Sequence, residues 1–160
     1  MGNRIRAVAD FWSARSAVLR ALAVVLGMGA IWWSSAQPGR AMGDAIVISF
    51  LHNCGHIVAF GGLFTLVLFA LSPVKLWSFR HALIALIVAV CFGITDELHQ
   101  RFVPGRHCSV SDGITDFAGA LFASAVLFGF AADRPVARRA VLPLAVLALC
   151  AAGFATWGPY

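Results

Sequence analysis

Five long apolar runs dominate this sequence and restrict what the chain can fold into. Each is close to the roughly 20 apolar residues that a helix needs to cross a hydrocarbon core of about 30 Å. The runs do not show the alternation of polar and apolar residues that marks a strand. The sequence therefore predicts an all-α, polytopic transmembrane helix bundle with about five spans. The predicted spans cover residues 17–33, 53–71, 79–94, 113–132 and 141–157.

The composition agrees with a bilayer environment. Hydrophobic residues make up 61% of the 160 residues and charged residues 12%, whereas soluble domains are about half apolar. The net charge of +5 comes mostly from arginines scattered between apolar runs, which is not the pattern of a nucleic-acid groove. We expect one membrane domain over residues 1–160. Its expected partner is the lipid bilayer, and no nucleic-acid partner is expected. The arginines before the first run also resemble the start of a secretory signal peptide, so cleavage of that run stays open.

The distribution of Lys and Arg predicts the orientation of the spans, because cytoplasmic connections carry an excess of these residues. Nine of the twelve fall in the N-terminal segment and in the second and fourth connections, and three fall in the first and third connections. The N-terminus is therefore expected in the cytoplasm. The loop between the third and fourth spans, with Arg101 and Arg106, is expected on the extracytoplasmic side.

One stretch, FGITDELHQRFVPGRHCSVSDGITDFAG (92–119), departs from the apolar composition. It contains four of the seven acidic residues, Asp96, Glu97, Asp112 and Asp116. The predicted topology also brings His56 to the outer end of the second span, at a depth similar to that of Asp96. Ionisable groups at membrane depth are expensive and are usually functional. We therefore expect a polar pocket beneath the outer surface of the bundle.

Spacing within the stretch suggests which of its side chains interact. Asp96, His99 and Gln100 share one face if the third helix continues through them, and Glu97 and Arg101 are placed to pair on an adjacent face.

The segment that follows predicts a helix break and a new helix start. Pro104 and Gly105 end the third helix. Ser109 and Asp112 fit a capping box that opens the fourth helix. Asp116 lies one turn deeper on the face of Asp112, where capping no longer explains a carboxylate.

Three kinds of chemistry fit this set of residue types. A phosphate or carboxylate suits the planar fork of Arg106. A divalent cation would relieve the repulsion between carboxylates, with Asp112 and Asp116 as candidate ligands. Without a cation, a carboxylate–histidine pair is suited to act as a general base or proton relay. No catalytic residue is established, and the candidates are His56, Asp96 and His99. The candidate binding residues are His56, Asp96, Glu97, Gln100, Arg106, Asp112 and Asp116.

The cysteines leave two minor alternatives open. Cys54 and Cys108 are both predicted on the outer side, where they are able to pair as a disulfide. The segment HNCGH, beside His107 and Cys108, hints at a soft-metal site but matches no established ligand spacing. The pattern assigns no cofactor.

The stretch DELHQRFVPGRHCSVSDGITDFAGA resembles the signature of VanZ-like membrane proteins, in which DE-x-x-Q-x-F-x-P-G-R precedes D-x-x-x-N-x-x-G. The upstream HNCGHIVAFGGL resembles the family's K-x-x-H-x-x-x-Y-x-x-L element, and the VanZ-like core covers about 45–131. Asn53 stands where lysine is common, Phe60 where tyrosine is common, and Asp116 where asparagine is usual. The extra carboxylate of Asp116 makes a cation site more plausible. The matching positions are His56, Asp96, Glu97, Gln100, Pro104, Gly105, Arg106, Asp112 and Gly119.

The resemblance implies a multi-span protein of the bacterial cytoplasmic membrane. The family is named for a protein linked to low-level resistance to the lipidated glycopeptide teicoplanin. The resemblance therefore implies a role in the cell envelope, but it brings no established biochemical activity.

Three functions remain open at this stage. The first is binding or handling of an anionic envelope lipid or lipid-linked cell-wall precursor at Arg106. The second is a membrane-embedded enzyme, with or without a metal, that acts on a lipid-linked phosphate or ester, although no nucleophile motif is present. The third is a structural role within a partner complex.

Overall fold

The computed structural model describes residues 2–38, 46–106 and 108–157 and confirms the all-α prediction, since the described residues form helices and no strands. Five of the six α-helices in these described residues are long and apolar enough to cross a membrane. Val74–Leu76 forms a short 3-10 turn, and α5 continues into a π-helical turn at Leu127–Ala131. The helices are α1 (Gly2–Ser13), α2 (Ala17–Ser35), α3 (Ile46–Leu71), α4 (Phe79–Gln100), α5 (Val110–Val126) and α6 (Pro135–Trp157).

Helix α1 was not predicted, because its 12 residues are too few to cross a bilayer. Its apolar residues Ile5, Ala9 and Trp12 recur at helical spacing and pack against the core. The Nε of Arg6 donates a hydrogen bond to the carbonyl oxygen of Ala131 at 2.9 Å. The helix therefore lies against the π-helical turn at one end of the bundle.

The spans alternate in direction, and their two ends differ in chemistry. What we call the polar end gathers the C-termini of α2, α4 and α6 with the N-termini of α3 and α5. Phe50 and Trp157 stack there, with ring centroids 5.7 Å apart. The opposite end has an aromatic core, where the rings of Phe69, Trp77 and Phe128 pack in sequence, and arginines such as Arg6 and Arg138 surround it. This arrangement agrees with the predicted convergence of polar side chains at one end.

Helix α3 is the centre of the bundle and contacts the four other spans. It begins at Ile46, so the apolar residues before 53 lengthen this span. Phe60, Leu63, Phe64 and Leu68 are almost completely buried and form most of the core. Large apolar side chains elsewhere stay exposed on the outer surfaces of the helices, as expected for a bundle surrounded by lipid.

Glycines bring α3, α4 and α5 unusually close together. A Cβ atom at Gly119 of α5 would lie 2.6 Å from the carbonyl oxygen of Ile57 in α3, and one at Gly61 would lie 3.1 Å from the carbonyl oxygen of Gly119. A Cβ atom at Gly93 of α4 would lie 3.1 Å from the ring of Phe60. Small residues at helix crossings allow such approach in membrane bundles.

We expect Gly119→Ala to destabilise the bundle, because its methyl group would collide with the α3 backbone. Overpacking of this kind costs about 1–3 kcal/mol, which corresponds to a loss of several degrees in the apparent Tm in detergent. The matched control is Gly62→Ala, since a Cβ atom there meets nothing within 4 Å. Equal Tm values for the two variants would contradict the role assigned to Gly119.

Candidate functional site

Three helices each contribute one ionisable side chain to a compact group at the polar end. We call His56 of α3, Glu97 of α4 and Asp116 of α5 the acid–histidine cluster. His56 Nδ1 and Asp116 Oδ1 share a hydrogen bond of 2.8 Å. One nitrogen or oxygen atom from each of the three residues lies within 4.8 Å of the others. The side chains are only 11% exposed for His56 and 4% for Asp116.

Asp116 has one carboxylate oxygen in use and one to spare. Its Oδ2 is buried and has no hydrogen-bond partner among the described residues. This oxygen points toward α4, where a Cβ atom at Gly93 would lie 3.2 Å from it. Gly93 precedes Glu97 by one helical turn, so both lie on one side of α4. Asp116 faces that side.

Glu97 is held by groups other than the predicted Arg101. The backbone N–H of Ser109 donates to Glu97 Oε2 at 2.8 Å, and Gln100 Nε2 donates to Oε1 at 3.3 Å. The Glu97–Arg101 pair is therefore not formed, since Glu97 is buried and Arg101 is exposed. The carboxylate of Glu97 instead accepts from the backbone at the start of α5.

The capping box at the start of α5 was also wrong in its details. Ser109 is the N-cap residue, as predicted, but its side chain makes no capping hydrogen bond. Its hydroxyl lies 2.6 Å from that of Ser111. Glu97, from a neighbouring helix, takes the N–H that a capping box would offer to Asp112. Asp112 is partly buried, close enough to Glu97 and His56 to interact electrostatically with both.

Asp96 faces α2, away from the hydrogen bond that His56 makes. Its Oδ2 accepts from the hydroxyl of Ser35 at 2.7 Å and from Gln100 Nε2 at 3.1 Å. The i, i+4 pairing of Asp96 with Gln100 is confirmed. His99, on the same face, stacks on Trp32 of α2 with ring centroids 4.0 Å apart.

Arg106 fastens the loop after α4 to the end of α2. Its Nε and Nη2 donate to the carbonyl oxygens of Gln37 and Ser34 at 3.2 and 3.4 Å. Its Nη1 donates to His52 Nε2 at 3.1 Å. Gly105 has φ 72°, a conformation that favours glycine and turns the chain before Arg106. Among the described residues, no carboxylate lies within salt-bridge distance of Arg106.

The sulfur atoms do not take part in this arrangement. All four cysteines are free, so Cys54 and Cys108 are not paired. His107, which completed the soft-metal alternative, lies outside the described residues.

Sequence reasoning located most of this site but missed several of its partners. Ser35 and His52 carry no signal that would have identified them. Gly93 did carry such a signal, because it precedes Glu97 by four residues and so lies on the same helical face. Asn53 was noted only as a departure from a family pattern. Its Nδ2 donates to Thr156 Oγ1 at 2.9 Å and links α3 to α6.

A comparison with protein families identifies the family of the chain. The family model described as VanZ/LLP1 matches residues 8–131, from within α1 to the end of the π-helical turn. This chain belongs to the VanZ/LLP1 family. The matched region includes every residue of the acid–histidine cluster. Searches of curated proteins and of solved structures found no match.

An apolar groove begins directly beside the cluster of this VanZ-family protein. It has a volume of about 270 Å³ and runs between α3 and α5, lined among others by Ile57, Gly61, Gly119 and Phe122. Ile57 follows His56 in sequence, and Gly119 lies about one turn after Asp116. A second groove of about 450 Å³ lies on the other side of α3, against α2. Gly62 borders both grooves.

We expect Arg106→Ala to loosen the last turn of α2, because the guanidinium bonds the carbonyl group of Ser34 in that turn and of Gln37 just beyond it. Hydrogen bonds to charged groups contribute about 1.5–3 kcal/mol, so amide hydrogen exchange at residues 33–37 should accelerate by about tenfold or more. The control is Arg101→Ala, which removes an exposed arginine nearby. Unchanged exchange in the Arg106 variant would show that these bonds do not hold α2.

Proposed function

We propose that this membrane protein binds an anionic lipid or a lipid-linked cell-wall precursor at the outer face of the bacterial cytoplasmic membrane. The polar head would lie at the polar end, and the chain would lie in the groove between α3 and α5. The observation that carries this proposal is the continuity of the two surfaces. Ile57 and Gly119 line the groove with apolar surface, and on their helices they adjoin the hydrogen-bonded pair, since Ile57 follows His56 and Gly119 lies about one turn after Asp116.

The groove suits a hydrocarbon chain better than a polar ligand. Its lining side chains are apolar apart from Thr65, whose hydroxyl already donates to the carbonyl oxygen of Gly61 at 2.8 Å. Glycines provide its depth, since a Cβ atom at Gly62 would meet nothing within 4 Å. A groove open to lipid and lined in this way offers dispersion contacts along an acyl or prenyl chain.

Arg106 supplies positive charge for the head group at the same end. A guanidinium has five N–H donors, and three of them are used in the contacts with Gln37, Ser34 and His52. The remaining two have no partner among the described residues and are available to a phosphate oxygen. Trp32 and Trp157, also at this end, are typical of a membrane interface.

We infer the orientation of the protein from the distribution of its arginines. With α1 and its arginines in the cytoplasm, the polar end and its loop face the exterior, where cell-wall precursors are consumed. Altered handling of such precursors, or of surface charge, would connect this function to teicoplanin resistance. The resistance is then an indirect consequence of lipid binding.

Cys108 offers a direct test of the orientation, because it is exposed in the loop at the polar end. In a variant without the other three cysteines, we expect a membrane-impermeant maleimide to label Cys108 in intact spheroplasts. The control is Asp133→Cys in a background without native cysteines, at the exposed turn of the opposite end. It should react only after permeabilisation, and the reverse pattern would eliminate an outward-facing site.

Lipid binding is testable with a polyprenyl phosphate in phosphatidylcholine nanodiscs, with native mass spectrometry as the readout. We expect Gly62→Phe to fill the groove and to weaken retention by about tenfold, equivalent to about 1.4 kcal/mol. Gly55→Phe is the matched control, since Gly55 is equally open but borders neither groove. A polyprenol without phosphate tests the head group. Equal retention by both variants would refute the assignment of the groove.

A second candidate function rests on the hydrogen bond between His56 and Asp116. A histidine oriented by a carboxylate is suited to general base catalysis, so the protein would hydrolyse a lipid-linked phosphate or ester. Phosphate release from a polyprenyl pyrophosphate by the wild type, lost in His56→Gln, would favour this enzyme. If site variants such as His56→Gln are abundant and folded and do not change lipid retention or phosphate release, a structural role is favoured instead.

A further inference from the structure

We propose that His56, Glu97 and Asp116 form a binding site for one divalent transition-metal ion, Zn²⁺ or Mn²⁺, inside the polar end of the bundle. Each ligand comes from a different helix, so the ion would tie α3, α4 and α5 together. This site stands on the geometry of the cluster and does not depend on lipid binding.

The spacing of the donor atoms fits a common metal ion. Ligand atoms about 2.1 Å from a tetrahedral ion lie about 3.4 Å from one another. The three donor atoms of the cluster lie within 4.8 Å of one another, and His56 Nδ1 lies 2.8 Å from Asp116 Oδ1. Coordination would replace the hydrogen bond between His56 and Asp116, with the side chains rotating so that one donor atom of each residue faces the ion.

The second observation is the spare oxygen of Asp116. Its Oδ2 is buried without a hydrogen-bond partner among the described residues, in a side chain only 4% exposed. A buried carboxylate oxygen without a donor is costly. Because Gly93 has no side chain, this oxygen reaches the face of α4 that carries Glu97. A metal ion between them supplies the missing partner.

The charge balance of the site points the same way. Asp96, Glu97 and Asp116 are 1%, 6% and 4% exposed, and in the described parts of the chain no Lys or Arg lies within salt-bridge distance of them. Buried charges are normally paired or coordinate a metal. A divalent cation would offset the negative charge of the two carboxylates in the cluster.

The surroundings of Glu97 resemble the support that metal ligands usually have. The Ser109 N–H and Gln100 Nε2 bond to its two oxygens and fix the carboxylate. Such outer contacts orient ligands and sustain affinity. His56 is likewise packed, with the ring of Phe60 stacked 6.3 Å away between centroids.

The ligand set also selects the metal. One imidazole nitrogen and two carboxylates favour Zn²⁺ or Mn²⁺, whereas Mg²⁺ and Ca²⁺ prefer oxygen ligands throughout. Three protein ligands leave a position open. If the proposed lipid function holds, a phosphate oxygen of the head group would fill that position, which explains how an anionic head could approach buried carboxylates.

The test is metal analysis of the full-length protein, purified without a histidine tag, stripped with EDTA and reloaded with Zn²⁺ or Mn²⁺ alone. We expect about one ion per chain, a rise in Tm with metal, and at least a tenfold loss of affinity in Glu97→Gln and Asp116→Asn. Controls are His81→Gln and Asp133→Asn, which remove similar groups near the opposite end and should bind like the wild type.

X-ray absorption of the zinc-loaded wild type keeps the proposal testable if a variant fails to fold. Nitrogen and oxygen ligands at about 2.0–2.2 Å are expected, and sulfur at about 2.3 Å would overturn the site in favour of a cysteine site. Substoichiometric metal, or affinity unchanged in the cluster variants, would also overturn it. Metal binding without polyprenyl phosphate retention would leave this site standing and refute only the lipid function.

Discussion

The contact between Gly119 of α5 and the α3 backbone at Ile57 decides where the ionisable side chains of this protein meet. Because a Cβ atom at Gly119 would lie 2.6 Å from the carbonyl oxygen of Ile57, only glycine allows the two helices to come this close. Asp116 lies about one turn before Gly119, and His56 directly precedes Ile57. The close approach therefore places their side chains within hydrogen-bond distance. Gly93 does the same for α4, where it leaves room for the second oxygen of Asp116.

The periodicity and topology of the sequence were enough to predict the five spans, the polar end and the pairing of Asp96 with Gln100. They were not enough to predict which acid meets His56. Depth follows from topology, but the rotation of each helix about its axis follows from packing, here of Gly93 and Gly119. The predicted pairing of Glu97 with Arg101 was wrong because the sequence does not show how α4 is rotated about its axis. The i, i+4 rule describes one helix alone, whereas Glu97 turns inward and accepts the N–H of Ser109 from the next helix.

The family signature combines residues with two different physical tasks. Asp96 and Arg106 both fasten α2, through Ser35 and through the carbonyl oxygen of Ser34. That attachment matters because Ser35 is the one buried residue of α2, all of which is described. His56 and Glu97 belong instead to the acid–histidine cluster. A motif that looks like one site in the sequence is thus divided between holding a helix and forming a chemical centre.

This division gives α2 a direct influence on the cluster. Gln100 Nε2 bonds both Asp96, which holds Ser35, and Glu97, which belongs to the cluster. A displacement of α2 would free Asp96 Oδ2 from Ser35 and let Gln100 turn wholly toward Asp96 or wholly toward Glu97. Helix α2 also forms one wall of the groove of about 450 Å³. The wall of that groove is thus connected to the carboxylate of Glu97 through Ser35, Asp96 and the single amide group of Gln100.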